Sequence, residues 1–245
     1  MQIKVINGNT FAPMTQGIHA SAVSVCAPNT TVVTVQPNAG PESLESYYDE
    51  ALAAPGILEQ IRLDDGVSDA FIIACWGDPA LEAARELTTK PVLGIAEASI
   101  VIANFLAARW GVISTLDRDL DLLERTIYRA GAGRRCVSIR TTNLKVIETE
   151  TAREATVNAL EVAARLAIIE DKVEAICLGC AGMSGLDHEL ENRLGIPVID
   201  SVAAAVKLAE AVVGLGKLTS KALTYRKPEP KRILGFSDLM QSYLF

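Results

Sequence analysis

Short aliphatic and β-branched runs recur along the chain, apolar at nearly every position rather than at alternate ones. Seven read as strands: 3–7 (IKVIN), 31–36 (TVVTVQ), 70–75 (AFIIAC), 91–96 (PVLGIA), 110–115 (WGVIST), 174–180 (EAICLGC) and 196–200 (IPVID). Strands apolar on both faces suit a parallel sheet covered by helices on each side. Between them, 117–130 and 150–172 carry helical periodicity with charged faces. So does 43–62, with a break expected at Pro55-Gly56. This alternation predicts βαβ units and an α/β fold.

An internal repeat refines the picture. Residues 69–99 (DAFIIACWGDPALEAARELTTKPVLGIAEAS) align with 174–204 (EAICLGCAGMSGLDHELENRLGIPVIDSVAA). In each copy an alanine opens a strand, a cysteine follows five residues on, and a glycine-bearing loop, a helix and a proline-led strand come next. Cys75 precedes Pro91 by 16 residues, and Cys180 precedes Pro197 by 17. Two pseudo-symmetric lobes follow, each a mostly parallel sheet flanked by helices, with the active site in the cleft between them. The first lobe is assigned to 1–98 and 206–245, the second to 99–205. Both cysteines then lie where α/β sheets bind ligands, beyond the carboxyl ends of the strands.

Composition narrows the function. The 245 residues carry a net charge of −7, which argues against nucleic acid or an anionic membrane surface as partner. A basic stretch at 219–232 reads as a solvated tail or subunit contact. No apolar run reaches the ~18 residues of a membrane span. The N-terminus reads as a strand and polar turn, not a signal peptide. Five scattered cysteines, an odd number, fit a reducing cytoplasm better than a disulfide framework. The aromatic end LMQSYLF (239–245) and the apolar helices point to a homo-oligomer.

The C-x-x-C of Cys177 and Cys180 invites a redox reading. Strand alternation instead turns Cys177 into the packing and leaves Cys180 at the rim. Two thiols facing each other across a cleft, Cys75 and Cys180, are what a two-base racemase requires. One thiolate removes a proton from a stereocentre while the opposite thiol returns one to the other face. A helix N-terminus after each cysteine is expected to draw the thiol pKa toward neutrality and to offer amides to an enolate oxygen. His19 and His188 lack metal-ligand spacing, so no metal is expected. His188, a turn or more past Cys180, leaves a Cys/His pair open. Asn9, Thr10 and Thr15, in the turn after the first strand and beyond it, can hold a polar ligand or cap a helix.

Seven segments together are similar to the hydantoin/allantoin racemases of the aspartate/glutamate racemase superfamily: KVINGNT (4–10), GPESLESYYDEALAAPGILEQIR (40–62), IACWGDPALEAARE (73–86), PVLGIAEAS (91–99), VISTLDR (112–118), LGCAGMSGL (178–186) and IPVIDSVAAAVKLAE (196–210). The resemblance implies racemisation without cofactor at C5 of a cyclic ureide, with Cys75 and Cys180 as the acid/base pair. Gly8 and Trp76 replace the family's usual proline and its frequent phenylalanine. The residues after each cysteine depart from the amino-acid racemases, which argues against glutamate or aspartate.

The leading reading is a hydantoin racemase acting on 5-monosubstituted hydantoins. Allantoin racemase is the alternative, and Trp76 with the paired tyrosines favours apolar substituents. Candidate substrate contacts are Asn9, Tyr48, Ser114, Thr115 and the backbone around Gly77, Asp78, Gly182 and Met183. The other classes are a thiol–disulfide oxidoreductase and a small-molecule binding module.

Overall fold

A computed structural model describes residues 1–235, so the LMQSYLF segment lies outside the described residues. The chain runs β1 (Gln2–Asn7), α1 (Ala12–Val25), β2 (Thr31–Val35), α2 (Tyr47–Leu63), β3 (Ala70–Ala74), α3 (Leu81–Leu87), β4 (Val92–Gly94), α4 (Ile95–Leu106) and β5 (Trp110–Ser114). It continues with α5 (Leu120–Arg129), β6 (Cys136–Thr141), α6 (Val146–Thr151), α7 (Arg153–Leu166), β7 (Ala175–Leu178), α8 (Asp187–Leu194), β8 (Val198–Ile199) and α9 (Ser201–Gly214).

Two four-stranded sheets result, ordered β2-β1-β3-β4 and β6-β5-β7-β8, with every pairing parallel. The second order is the first shifted by four strands, so the repeat is one of topology as well as sequence. The helices that close the two halves, α4 and α9, pack against each other. Each also reaches the other half's sheet: α4 contacts β7, and α9 contacts β3. One apolar core consequently runs from Ile3 and Ile72 through both helices to Val112 and Cys177. Among the described residues no helix is long and apolar enough to cross a membrane.

Three expectations need correction. Pro55-Gly56 does not break α2, which runs through both residues. Ala53, Ile57 and Ile61 bury one face of that helix completely. A Cβ on Gly56 would stand 2.7 Å from Pro37, so the glycine lets the loop after β2 cross the helix closely. The stretch 150–172 is not one helix, because Ala152 leaves the helical region at φ −124°, ψ 56° between α6 and α7. An eighth strand, β6, escaped the pattern. It lies at a sheet edge with only Ser138 buried, so its sequence lacks a run apolar on both faces.

Candidate active site

The carboxyl ends of the inner strands, β1 and β3 in one sheet and β5 and β7 in the other, converge on a single cleft. Its volume, with the open mouth included, is about 560 Å³. Cys75 lines it just beyond β3, and Cys180 lines it two residues beyond β7. The two thiols are close enough for charge on Cys180 to raise the Cys75 pKa.

The two cysteines open turns of the same kind. The Asp78 amide donates to the Cys75 carbonyl at 3.0 Å, and the Met183 amide to the Cys180 carbonyl at 3.1 Å. In each turn the amide two residues on, Gly77 or Gly182, stabilises the thiolate form. At both positions a neighbouring side chain occupies the space of a Cβ, so any other residue would have to displace it. Glu50 Oε1 would be 1.7 Å from one on Gly77, and Thr149 Oγ1 2.2 Å from one on Gly182.

A buried carboxylate ties each turn to the helix that closes its half. Asp78 accepts from the Ala96 and Glu97 amides at 3.0 Å each, capping α4, whose own N-cap is Gly94. Asp200, the N-cap of α9, accepts from Val202 and Ala203 and also from the Gly185 amide at 2.7 Å. The carboxylate thus comes from the turn in the first half and from the helix in the second. Asp78 (φ 51°) and Ala80 (φ 59°) hold left-handed conformations, a local cost of about 1–3 kcal/mol each. Burial pushes the Asp78 carboxyl up to about 8, against the lowering effect of those amides.

The expected drop in thiol pKa is not found. Burial, the dominant cause, carries Cys75 well above its ordinary value, and Glu50 adds to the rise. Burial likewise carries Cys180 up to about 11, opposed by the Gly182 amide and the Thr149 hydroxyl. The following helices start too late to help directly, α3 at Leu81 and α8 at Asp187. Lone turn amides do not outweigh desolvation. Two carboxyls also line the cleft: burial raises Glu50 to about 7 and Asp119 to about 6.

Of the residues singled out in the sequence, Asn9, Gly77, Ser114 and Thr115 line the cleft with the two cysteines. Asn9 is fixed by the Asn7 amide group, and Ser114 donates to the Gly179 carbonyl at 3.0 Å. Tyr48 does not line it; its side chain is 72% exposed on α2. Two residues further along the helix, roughly 200° round the axis, Glu50 faces inward instead. Tyr47 likewise turns outward and donates to Asp121. Asp78, Gly182 and Met183 lie behind the wall: the Asp78 and Met183 amides are spent inside the turns, and Met183 is buried in an apolar cluster with Leu178 and Leu186.

Trp76 is buried, its indole N–H shared between Ser99 of α4 and Ser201 of α9. It therefore clamps the two halves and makes a weak argument about substituents. Thr10 and Thr15 bond within the fold, to Pro41 and Gln36. His188 is exposed on α8 beside Glu191, away from the cleft, which removes the Cys/His pair. Cys177 is fully buried with its thiol on the Ser99 carbonyl, unlike the exposed thiol of a redox pair. Glu50, Asp119 and Thr149, which carry no signal in the sequence, adjoin the thiols only after folding, and Ser46 lines the cleft with them.

The chain belongs to the Asp/Glu/Hydantoin racemase family, whose pattern it matches over residues 3–209. It is 50% identical over 237 residues to the hydantoin racemase of Pseudomonas sp. (strain NS671), covering 96% of this chain and 95% of that one. The allantoin racemase structure from Klebsiella pneumoniae is 40% identical with a TM-score of 0.94, covering 99% of this chain and 98% of that one. The allantoin racemase structure from Pseudomonas fluorescens is 42% identical with a TM-score of 0.93, covering 96% and 100%. This likeness makes the protein an isomerase of the racemase kind.

Proposed function

We propose that the protein racemises 5-monosubstituted hydantoins by two-base proton transfer, with Cys75 and Cys180 as the bases. The observation that carries this reading is the duplicated turn: one thiol on each wall of one cleft, each with its own glycine amide. A flat ring between the walls presents its C5 proton to one sulfur and the opposite face to the other. The thiolate takes the proton, and the electron pair of the C–H bond passes into an enolate. The facing thiol then protonates C5 from the other side, leaving the sulfurs with exchanged protonation states. The C5 proton is α to a carbonyl, so the ring itself delocalises the charge and no cofactor is called for.

Allantoin is the second reading, favoured by the two allantoin racemase structures at 40% and 42% identity. Apolar walls from Leu44, Leu122, Leu123 and Val146 support an aliphatic or benzyl substituent over the ureido group of allantoin. The protein is further proposed to be cytoplasmic and to work as a homo-oligomer.

Proton–deuterium exchange at C5 in D2O, with enantiopure 5-benzylhydantoin and allantoin, tests both readings. Loss of optical rotation on benzylhydantoin above the no-enzyme rate is expected; preference for allantoin selects the second reading. In Cys75→Ser and Cys180→Ser, racemisation should fall by about 10²–10⁴-fold. Each variant should still exchange deuterium into one enantiomer only. Near-normal racemisation by either variant refutes the two-thiol mechanism.

A further inference from the structure

The two walls of the cleft are alike in backbone and unlike in what presses on the thiol turns. At Gly182 the space of a Cβ is taken by the neutral Thr149 hydroxyl; at Gly77 it is taken by the Glu50 carboxyl. Glu50 comes from the first turn of α2, lines the cleft, and lies flush on the turn that carries Cys75. Among the described residues its carboxyl oxygens have no hydrogen-bond partner, and its titratable neighbours are Arg129, Asp119, Cys75 and Tyr47. Arg129 donates one hydrogen bond to the Gly77 carbonyl at 3.0 Å and pairs with Glu82 at 3.6 Å. The other acidic groups nearby are occupied: Asp119 bonds Thr115, and Glu45 accepts from the Val146 amide.

A half-buried acceptor without a donor, facing a cleft, calls for a donor on the ligand. The hydantoin ring is asymmetric about its reacting carbon in a matching way. C5 is flanked by N1, which carries a hydrogen, and by the C4 carbonyl, which accepts. We infer that Glu50 is a specificity-determining residue whose carboxylate accepts the ring N1–H, fixing which way round the ring lies between the thiols. This deepens, and rests on, the cyclic-ureide reading above. N3–H lies across the ring from C5, too far from the Cys75 turn to serve the same group. With N1 held at Glu50, the C4 oxygen that gains charge in the enolate faces away from this carboxylate rather than into it.

Replacing N1–H by the carbamate ring oxygen of 5-benzyloxazolidine-2,4-dione removes the donor without adding bulk. The test compares that compound with 5-benzylhydantoin, measuring C5 deuterium exchange over the no-enzyme rate for the wild type, Glu50→Ala and Glu50→Gln. The wild type should prefer the hydantoin by about 10- to 100-fold in kcat/KM, the range for a hydrogen bond to a charged group. Glu50→Ala also relieves Cys75 of a nearby charge, a change common to both compounds, so the readout is the ratio of their kcat/KM values, which should fall most of the way to one. Glu50→Gln, which keeps an acceptor oxygen, should fall between. Equal losses on both compounds, or no loss on either, would overturn the inference and leave the racemase reading standing. A wild type that accelerates exchange on neither compound would overturn both.

Discussion

Thr149 gives the sharpest probe of the thiol chemistry. Its side chain is buried and lies against Cys180, and its hydroxyl donates to the Val146 carbonyl at 2.6 Å. A hydroxyl carries one hydrogen and rotates to suit its partners. It can serve Val146 while Cys180 is a thiol and turn to the sulfur as the thiolate forms. Thr149→Val keeps the shape and removes this donor. A lost hydrogen bond is worth about 1 kcal/mol, and one pKa unit about 1.36 kcal/mol. Cys180 should therefore rise by about 0.7 unit and hold about five-fold less thiolate at any pH below its pKa.

The two enantiomers have equal free energy, so kcat/KM must fall by the same factor in both directions. Polarimetry on each enantiomer should show that equal loss of about five-fold, and the rate of Cys180 alkylation should drop in parallel. The melting temperature should fall by only about 2–4 °C. Thr149→Ser, which keeps the hydroxyl, should restore both rates. A Thr149→Val enzyme with wild-type rates at neutral pH, or a serine variant equally impaired, would refute this account.

Two further outcomes follow from the same site. Because the Cys180 pKa is raised to about 11, its thiolate accumulates as pH rises. At pH 8 it makes up about one part in a thousand in the empty cleft, so kcat/KM should climb roughly tenfold per pH unit between 7 and 9; a plateau from pH 7 upward would contradict the raised pKa. Cys177→Ala removes a sulfur from the shared core, where Cys177 is fully buried. It should cost about 1–2 kcal/mol in urea unfolding with kcat unchanged, and a loss of turnover at full stability would reinstate a chemical role for this thiol.

The carboxyl-end position of Cys75 and Cys180 was legible because each closes an aliphatic run, and strand polarity in a βαβ fold is fixed by chain order. The burial of Cys177 was legible from its odd spacing to Cys180, which puts the two on opposite sides of the strand. Tyr48 and Glu50 were not separable in this way. Both lie in one helical turn, and only the packing of Ala53, Ile57 and Ile61 on the sheet decides which points inward. The edge strand β6 was hidden because a half-exposed strand needs no unbroken apolar run. The thiol pKa values ran opposite to expectation because burial raises both, and sequence shows neither that burial nor how far the next helix's first amide stands from the sulfur.

The sequence by itself determined the repeat, the parallel sheets and the pair of thiols at matching strand ends. These are local facts of hydrophobic period and spacing, which act along a few residues of chain. Only the tertiary structure decided that Asp78 caps α4 across the first half while Asp200 joins α9 to the second turn. It also decided that Trp76 clamps α4 to α9, and that a carboxyl lies on one thiol turn and a hydroxyl on the other. Glu50 and Gly77 are 27 residues apart, and Thr149 and Gly182 are 33 apart. Contacts over such separations are set by the packing of whole helices on sheets, and that packing carries no local signature.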